Sequence, residues 1–282
     1  MLKISSALVS AALTVSGIAL AEGFNPNFVS AQACDASAFD DKDDWGSSQG
    51  FCSGTPSVYG VTVYKMGFCT SNPFTTAGVA VNYSSCTITY ENSSGFPTSF
   101  AAGTTISLPS AGTSMPAVGS YKYAVIELGK IFDIAAEMGP FRDGTTYYST
   151  SSWTAAGSPG KTTGSAEEFA AEMTSFDPNT SCLATSDPVS ITGATLVGYL
   201  IDSSAALIAD DTSVLNCSGV DKIVGVANLD TNVTITTSTT GLTATFTVTN
   251  NGSSVYCGGS GGGCSNIHFD SGPFNVAFTV VE

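Results

Sequence analysis

The chain has 282 residues, of which 43% are hydrophobic and only 11% charged, so it can bury a core and does not have the composition of a disordered protein. Acidic residues outnumber basic ones 23 to 8, which gives a net charge of −15 at pH 7. Because such a chain is repelled by nucleic-acid phosphates and by anionic lipid surfaces, we expect neither as a partner.

Residues 1–21 have the pattern of a secretory signal peptide. Lys3 supplies a positive charge, a mildly apolar run follows, and Ala19-Leu20-Ala21 fits the small-residue cleavage pattern. The alternative is an uncleaved anchor, but Ser, Thr and Gly residues make the run a weak membrane span. We therefore predict a secreted protein, extracellular or at the cell surface, with no membrane contact once the signal peptide is cleaved.

Export makes the eight cysteines interpretable, because disulfides form and persist in oxidising compartments. None of them has the C-x-x-C spacing of redox and zinc motifs. We predict bonds between neighbours in sequence, since each such pair closes a local loop beside a predicted strand. These pairs are Cys34–Cys52, Cys69–Cys86, Cys182–Cys217 and Cys257–Cys264.

Residues 22–57 read as an irregular, acidic N-terminal segment, and strand signals begin at residue 58. The clearest alternation lies between residues 121 and 135, where apolar residues share one face at period two and Gly129 indicates a bulge. Those apolar residues are Ala124, Ile126, Leu128, Phe132 and Ile134. Strands are predicted at residues 58–68, 78–83, 86–91, 104–108, 121–135, 145–149, 189–201, 222–227, 233–237, 242–249 and 274–281.

Residues 150–187 are rich in Ser, Gly, Pro and Thr, which is typical of a surface excursion. Ser165-Ala166-Glu167-Glu168 fits a capping box, and Phe169 and Met173 are spaced i, i+4. We predict one short surface helix there and leave open a division into two lobes.

The many short strands without a βαβ rhythm predict an all-β fold over residues 58–282. An antiparallel β-sandwich or jelly-roll, stapled by disulfides, is the expected architecture.

A resemblance covers the strand-rich part of the chain from Val58 onward. The run Tyr64-Lys65-Met66-Gly67-Phe68-Cys69-Thr70-Ser71, and later Gly225-Val226-Ala227-Asn228-Leu229 with Gly241-Leu242, resemble uncharacterised secreted β-rich proteins of marine bacteria. The resemblance implies no activity and no functional residues.

Enzyme motifs are weak in this chain. Two G-x-S-x-G stretches, at residues 46–50 and 258–262, lack the helix that follows a nucleophile elbow, and His268 has no acid placed to complete a triad. Cys257, Cys264 and His268 would supply only three of the four ligands of a structural zinc site. We therefore predict neither a serine hydrolase nor a zinc protein.

Glycosidase chemistry needs only two carboxylates. Glu91, Glu127, Asp133, Glu137 and Asp202 are available, but nothing in the sequence marks a pair. Glu127 and Asp133 fall on the face of their strand opposite the apolar set, where we expect exposure to solvent. We predict no enzymatic activity and no cofactor.

The run Asp40, Asp41, Asp43 and Asp44 is the candidate calcium site, since calcium prefers oxygen ligands. The EF-hand order fails because Lys42 intervenes, so a solvated acidic turn is the default and weak calcium binding the alternative.

The strand at residues 274–281 presents Phe274, Val276, Phe278 and Val280 on one face. Such a strand can close its own sandwich or complete the sheet of a neighbour. We predict a non-enzymatic structural protein that assembles with copies of itself, as a filament or pilus-like surface appendage joined by β-strand addition.

The alternative is an adhesin or carbohydrate-binding module that contacts cell-surface glycans. Its candidate stacking residues are Trp45, Tyr147, Tyr148 and Trp153, although core packing accounts for such residues equally well.

Overall fold

The computed structural model describes residues 15–16, 51–74, 76–100, 113–140, 144–154, 157–176, 181–191, 193–249, 252–258, 266–272 and 274–282. Within these ranges the regular structure is β, apart from one 3₁₀ turn at Tyr83–Ser85. The strands are β1 (Val15–Ser16), β2 (Phe51–Gly54), β3 (Val58–Cys69), β4 (Cys86–Phe100), β5 (Gly119–Ala135), β6 (Glu137–Met138), β7 (Tyr147–Tyr148), β8 (Ser158–Pro159), β9 (Phe169–Glu172), β10 (Val189–Ile191), β11 (Ala194–Ile201), β12 (Lys222–Ile235), β13 (Gly241–Thr247), β14 (Ser253–Gly258), β15 (Asn266–Ser271) and β16 (Asn275–Val281).

The strands form antiparallel sheets around a common core, which confirms the predicted all-β class. The main sheet has the order β10-β11-β12-β5-β3-β4, with β9 also paired to β5. Two smaller sheets have the orders β2-β14-β15-β8 and β1-β16-β13, and β6 pairs with β7. No helix among the described residues is long and apolar enough to cross a bilayer.

Strand β5 lies at the centre of the main sheet and carries the alternation that the sequence predicted. Its five predicted core residues are all fully buried in one apolar cluster. The pairing with β3 shifts between Val61 opposite Phe132 and Val63 opposite Leu128, and Gly129 lies in this irregular segment. Between these two pairs β5 contains two more residues than β3. Because side chains alternate between the faces of a strand, an insertion of two residues keeps Leu128 and Phe132 on the same face.

The helix predicted after the capping box is wrong. Phe169–Glu172 is strand β9, which pairs with Ile131–Ile134 of β5 beyond the point where β12 stops pairing. Phe169, Ala171 and Met173 are buried, whereas Ala170 and Glu172 are exposed. A spacing of four residues fits one face of a helix and alternate positions of a strand equally well, and the open edge of β5 selects the strand.

The segment at residues 150–187 is also more than a surface excursion. Phe169, Met173 and Phe176 belong to the large core cluster, which extends from Cys52 near the start of the sheets to Phe274 beside β16. The apolar core therefore does not divide at this segment.

Two further predictions need correction. Residues 51–54 were expected to be irregular but form β2, because β14, far along the chain, supplies the partner. Residues 78–83 were expected to form a strand, but only Ala80 pairs there, in an isolated bridge with Ala206. The predicted strand at residues 104–108 lies outside the described residues.

The opposite face of the main sheet is covered by two loops. Val125, Val224 and Val226 lie in a second apolar cluster with Phe74 and Leu207, which come from the segments that follow β3 and β11. The two loops are joined by a hydrogen bond of 2.7 Å from the Gly78 amide to the Leu207 carbonyl. The main sheet is therefore packed on both faces.

Two of the predicted disulfides are present, Cys69–Cys86 across β3 and β4 and Cys182–Cys217. Cys52 is also disulfide-bonded, but its predicted partner Cys34 lies outside the described residues. Cys264 lies outside them as well, although β14 and β15 form a hairpin around its segment. Nothing in the structure contradicts the predicted pairing.

Candidate functional site: the edge of strand β16

A buried carboxylate lies on the face of β5 that points away from the large core. Glu127 is only 5% exposed, and its Oε1 is 3.0 Å from the Nζ of Lys222. Its Oε2 accepts a hydrogen bond of 3.1 Å from the Tyr83 hydroxyl. The expectation that Glu127 is exposed is therefore wrong, because the loop after β3 and the Lys222 side chain cover it.

Paired groups surround this carboxylate. Lys65 lies opposite Glu127 in the register of β3 and β5, with its Nζ 3.0 Å from Glu91 and 4.4 Å from the centre of the Tyr83 ring. Burial, together with the negative charge of Glu127, raises the pKa of Tyr83 well above its ordinary value, so its hydroxyl stays protonated and donates. Since each charge has a partner, we interpret the cluster as a tether for the Tyr83 turn.

Glu91 and Asp202, two of the other candidate carboxylates, are bound to partners of their own. Glu91 and Glu127 lie on strands to either side of β3, and each is bound to a lysine. Asp202 accepts hydrogen bonds from the Ser204 hydroxyl and amide and from the Ala206 amide, and these bonds lower its pKa. Asp202 therefore stabilises its own turn.

Metal-ligating side chains do not cluster in the part of the chain that the structure describes. No group of three or more His, Cys, Asp or Glu residues there is placed to hold an ion. The calcium candidates Asp40, Asp41, Asp43 and Asp44 lie outside the described residues.

Two of the aromatic candidates for glycan stacking are used in packing, whereas Tyr148 is half-buried in β7. The Trp153 ring stacks on Phe169 with 5.6 Å between ring centroids and 5° between planes. Tyr147 also packs against the large core, whereas Trp45 lies outside the described residues. Trp153 and Tyr147 thus contact the protein's own core.

Most sheet edges carry features that oppose pairing with another chain. Edge strand β4 contains Glu91 and Pro97, and the Ser114 amide donates a hydrogen bond of 2.7 Å to the Thr89 carbonyl of β4. Edge strand β10 has three residues, β2 has four, and β8 has two and ends in Pro159. Short length, charge, proline and coverage are the usual protections of natural sheet edges.

Strands β13 and β16 lack those protections, and we call the pair the β13–β16 ribbon. Their sequences, GLTATFT and NVAFTVV, contain no charged residue and no proline. They pair antiparallel through seven directly opposed residue pairs, from Gly241 opposite Val281 to Thr247 opposite Asn275. The outer edge of β16 pairs only with β1 among the described strands, with Val15 opposite Phe278 and Ser16 opposite Ala277.

The strand that the sequence singled out for assembly contributes to the core of its own chain. Phe274, just before β16, is fully buried, with its ring 5.9 Å from those of Tyr59 and Phe246, and Val280 packs against the same core. The side chains of Val276 and Phe278 lie outside the described part of the structure. Phe274 and Val280 are therefore used in the core of their own chain, and the surface by which β16 pairs with β1 is its backbone edge.

The other face of the ribbon is polar and meets solvent. Thr243 is exposed, and Thr245, Thr247 and Thr279 are half-buried. At the end of the ribbon the Glu282 carboxylate accepts hydrogen bonds from the hydroxyls of Thr236, Ser238 and Thr239, which lower its pKa. These bonds fasten the end of β16 to the turn before β13.

The sequence analysis did not identify β16 as an edge strand that lacks charge and proline. The absence of both from β13 and β16 is visible in the sequence and could have indicated an unprotected edge. Its meaning depended on knowing which strands lie at sheet edges, which the sequence alone did not reveal.

Comparison with protein families, with curated proteins and with solved structures gives no match to this chain. The fold and the β16 edge are the observations that bear on function.

Proposed function

We propose that this protein is a secreted, non-enzymatic structural subunit that assembles with copies of itself by β-strand addition, as a filament or other surface appendage. The observation that carries the proposal is the outer edge of β16, a seven-residue strand without charge or proline whose described partner on that side is only two residues long. An edge of this kind is a ready template for another chain.

The physical basis is the row of backbone N–H and C=O groups along that edge. In β-augmentation these groups bind an incoming strand, and each hydrogen bond contributes a net of about 1 kcal/mol. Association costs at least about 4 kcal/mol in lost motion, so several bonds together with side-chain contacts are needed for a stable joint. A seven-residue edge is long enough to supply them.

Signal-peptide cleavage supports the same proposal. The two residues that pair with the β16 edge, Val15 and Ser16, lie within the predicted signal peptide at residues 1–21. Removal of that peptide would take this strand away and leave the edge for a partner. Assembly would then follow export, in a compartment where the disulfides are stable.

The direct test is electron microscopy and sedimentation of the mature chain, residues 22–282. We expect filaments above a critical concentration. Thr279→Asp should raise that concentration about tenfold, since a charge on the edge strand opposes an incoming acidic chain. Thr234→Asp is the matched control. It places the same charge on an exposed position of β12 that is already paired with Ser120 of β5.

A mature chain that stays monomeric at high concentration would contradict the proposal. Equal effects of the two Asp substitutions would show that assembly does not use β16. If the monomer binds on a glycan array and forms no filaments, the adhesin or carbohydrate-binding alternative is supported instead.

A further inference from the structure

We infer that the β16 edge is an acceptor site for an N-terminal strand, and that in the assembled protein residues 29–33 of a neighbouring copy occupy it. This inference rests on the proposed function and names the two surfaces that would form the joint.

In the full chain an N-terminal segment already adds to this edge. Val15 lies opposite Phe278 and Ser16 opposite Ala277, antiparallel to β16 and on the side away from β13. The outer edge of β16 can therefore accept an extended strand from the N-terminal part of a chain. A strand also needs much less room beside β16 than a second folded body would.

The mature N-terminal segment contains a second sequence of the same type. Val15-Ser16-Gly17-Ile18-Ala19 and Val29-Ser30-Ala31-Gln32-Ala33 share the pattern Val, Ser, a small residue, any residue, Ala. Neither stretch contains a charge or a proline, and the second alternates apolar and polar residues as a half-buried strand does. After cleavage, residues 29–33 are thus suited to the edge that Val15 and Ser16 leave.

Tethering favours a neighbouring copy over the same chain. Cys52 is disulfide-bonded, and the sequence predicts Cys34 as its partner. Val29 is five residues before Cys34 and so lies within about 18 Å of it even if fully extended, and such a bond would hold Cys34 at Cys52.

Cys52 lies on β2, in a different sheet from the acceptor position on β16. It is opposite Val255, which is opposite Phe269, and the chain runs nine residues from Phe269 to Phe278. Nine residues span at most about 30 Å when fully extended. The reach of the tethered strand is shorter than this span, and we therefore infer that it pairs with the edge of another copy.

Repetition of this contact gives an open assembly. The donor strand and the acceptor edge are different surfaces, so each copy offers one and receives one, and the contact is heterologous. A chain of such contacts grows at its ends and forms a filament if the rotation does not close a ring.

Disulfide trapping tests the inference with the register of β1 as the guide. If residues 29–33 replace β1, Ser30 lies opposite Ala277, with Cβ atoms about 5 Å apart. We would prepare the mature chain as Ser30→Cys, as Ala277→Cys and as the double variant. The described residues contain no free cysteine, so the new thiols dominate cross-linking.

We expect a covalent dimer when the two single variants are mixed and oxidised, and none with either variant alone. Ser37→Cys mixed with Ala277→Cys is the matched control, with the thiol moved beyond the proposed strand, and should give no dimer. If the double variant instead closes its bond within a monomer, the strand serves its own chain and the inference is overturned.

Electron microscopy of the same samples separates this inference from the proposed function. Filaments without the Ser30–Ala277 cross-link would overturn the inference and leave self-assembly standing. Absence of both filaments and cross-link would overturn both.

Discussion

At the scale of single residues, Glu127 shows how environment sets the role of a side chain. It lies on the face of β5 opposite the large core, as the alternation predicts, yet it is 5% exposed and bound to Lys222 and Tyr83. Exposure does not follow from strand face alone, because a loop from elsewhere in the chain covers that face.

We predict that Glu127→Gln lowers the free energy of unfolding by about 2 kcal/mol, because it leaves the partly buried Lys222 with only the more exposed Asp221 carboxylate, 3.8 Å away. Glu172→Gln is the matched control, since the Lys130–Glu172 pair has side chains 30% and 45% exposed and should contribute less than about 1 kcal/mol. Urea unfolding measures both variants. Equal losses would contradict the tether interpretation of the cluster.

At the scale of elements, strand pairing overrides local signals. The capping-box residues and the i, i+4 spacing of Phe169 and Met173 indicate a helix, but β9 forms because β5 has an open edge at Ile131–Ile134. Likewise β2 has few local strand signals and forms because β14 pairs with it. In both cases the deciding partner lies elsewhere in the chain.

Cys69–Cys86 joins the paired strands β3 and β4, whereas Cys182–Cys217 joins two loop segments, and loop size sets their expected contributions to stability. Cys69–Cys86 joins residues 17 apart and Cys182–Cys217 joins residues 35 apart. On the chain-entropy model, replacing both cysteines of a pair by Ser should cost about 3 kcal/mol for the first pair and about 4 kcal/mol for the second. Calorimetry of the two double variants against the unmodified chain checks the size and the order, and a larger loss for the shorter loop would contradict the model.

At the scale of the whole molecule, net charge opposes the proposed assembly while the β16 edge favours it. Cleavage of the predicted signal peptide would remove Lys3 and change the net charge from −15 to −16, whereas β13 and β16 carry no charge. Charge repulsion between copies acts at long range and is weakened by salt. Strand pairing acts at short range, and salt scarcely changes its strength.

We accordingly predict that the critical concentration for assembly falls as salt rises from about 10 mM to about 150 mM, because the screening length shortens from about 30 Å to about 8 Å. Light scattering of the mature chain across this range measures the effect. Exchange of NaCl for KCl at equal ionic strength is the control and should change nothing. A critical concentration that rises with salt would instead indicate a joint built on opposite charges.

The sequence by itself determined the all-β class, the alternation of β5 with its bulge at Gly129, and the pairing of Cys69–Cys86 and Cys182–Cys217. These properties depend on period-two patterning and on neighbours in the chain, which are local and can be read directly. Only the tertiary structure decided that residues 169–172 form a strand and that Glu127 is buried. It also decided that the outer edge of β16 pairs with a strand of only two residues, β1. Each of these depends on which distant segment lies alongside, and the amino-acid pattern of a single segment carries no record of that choice.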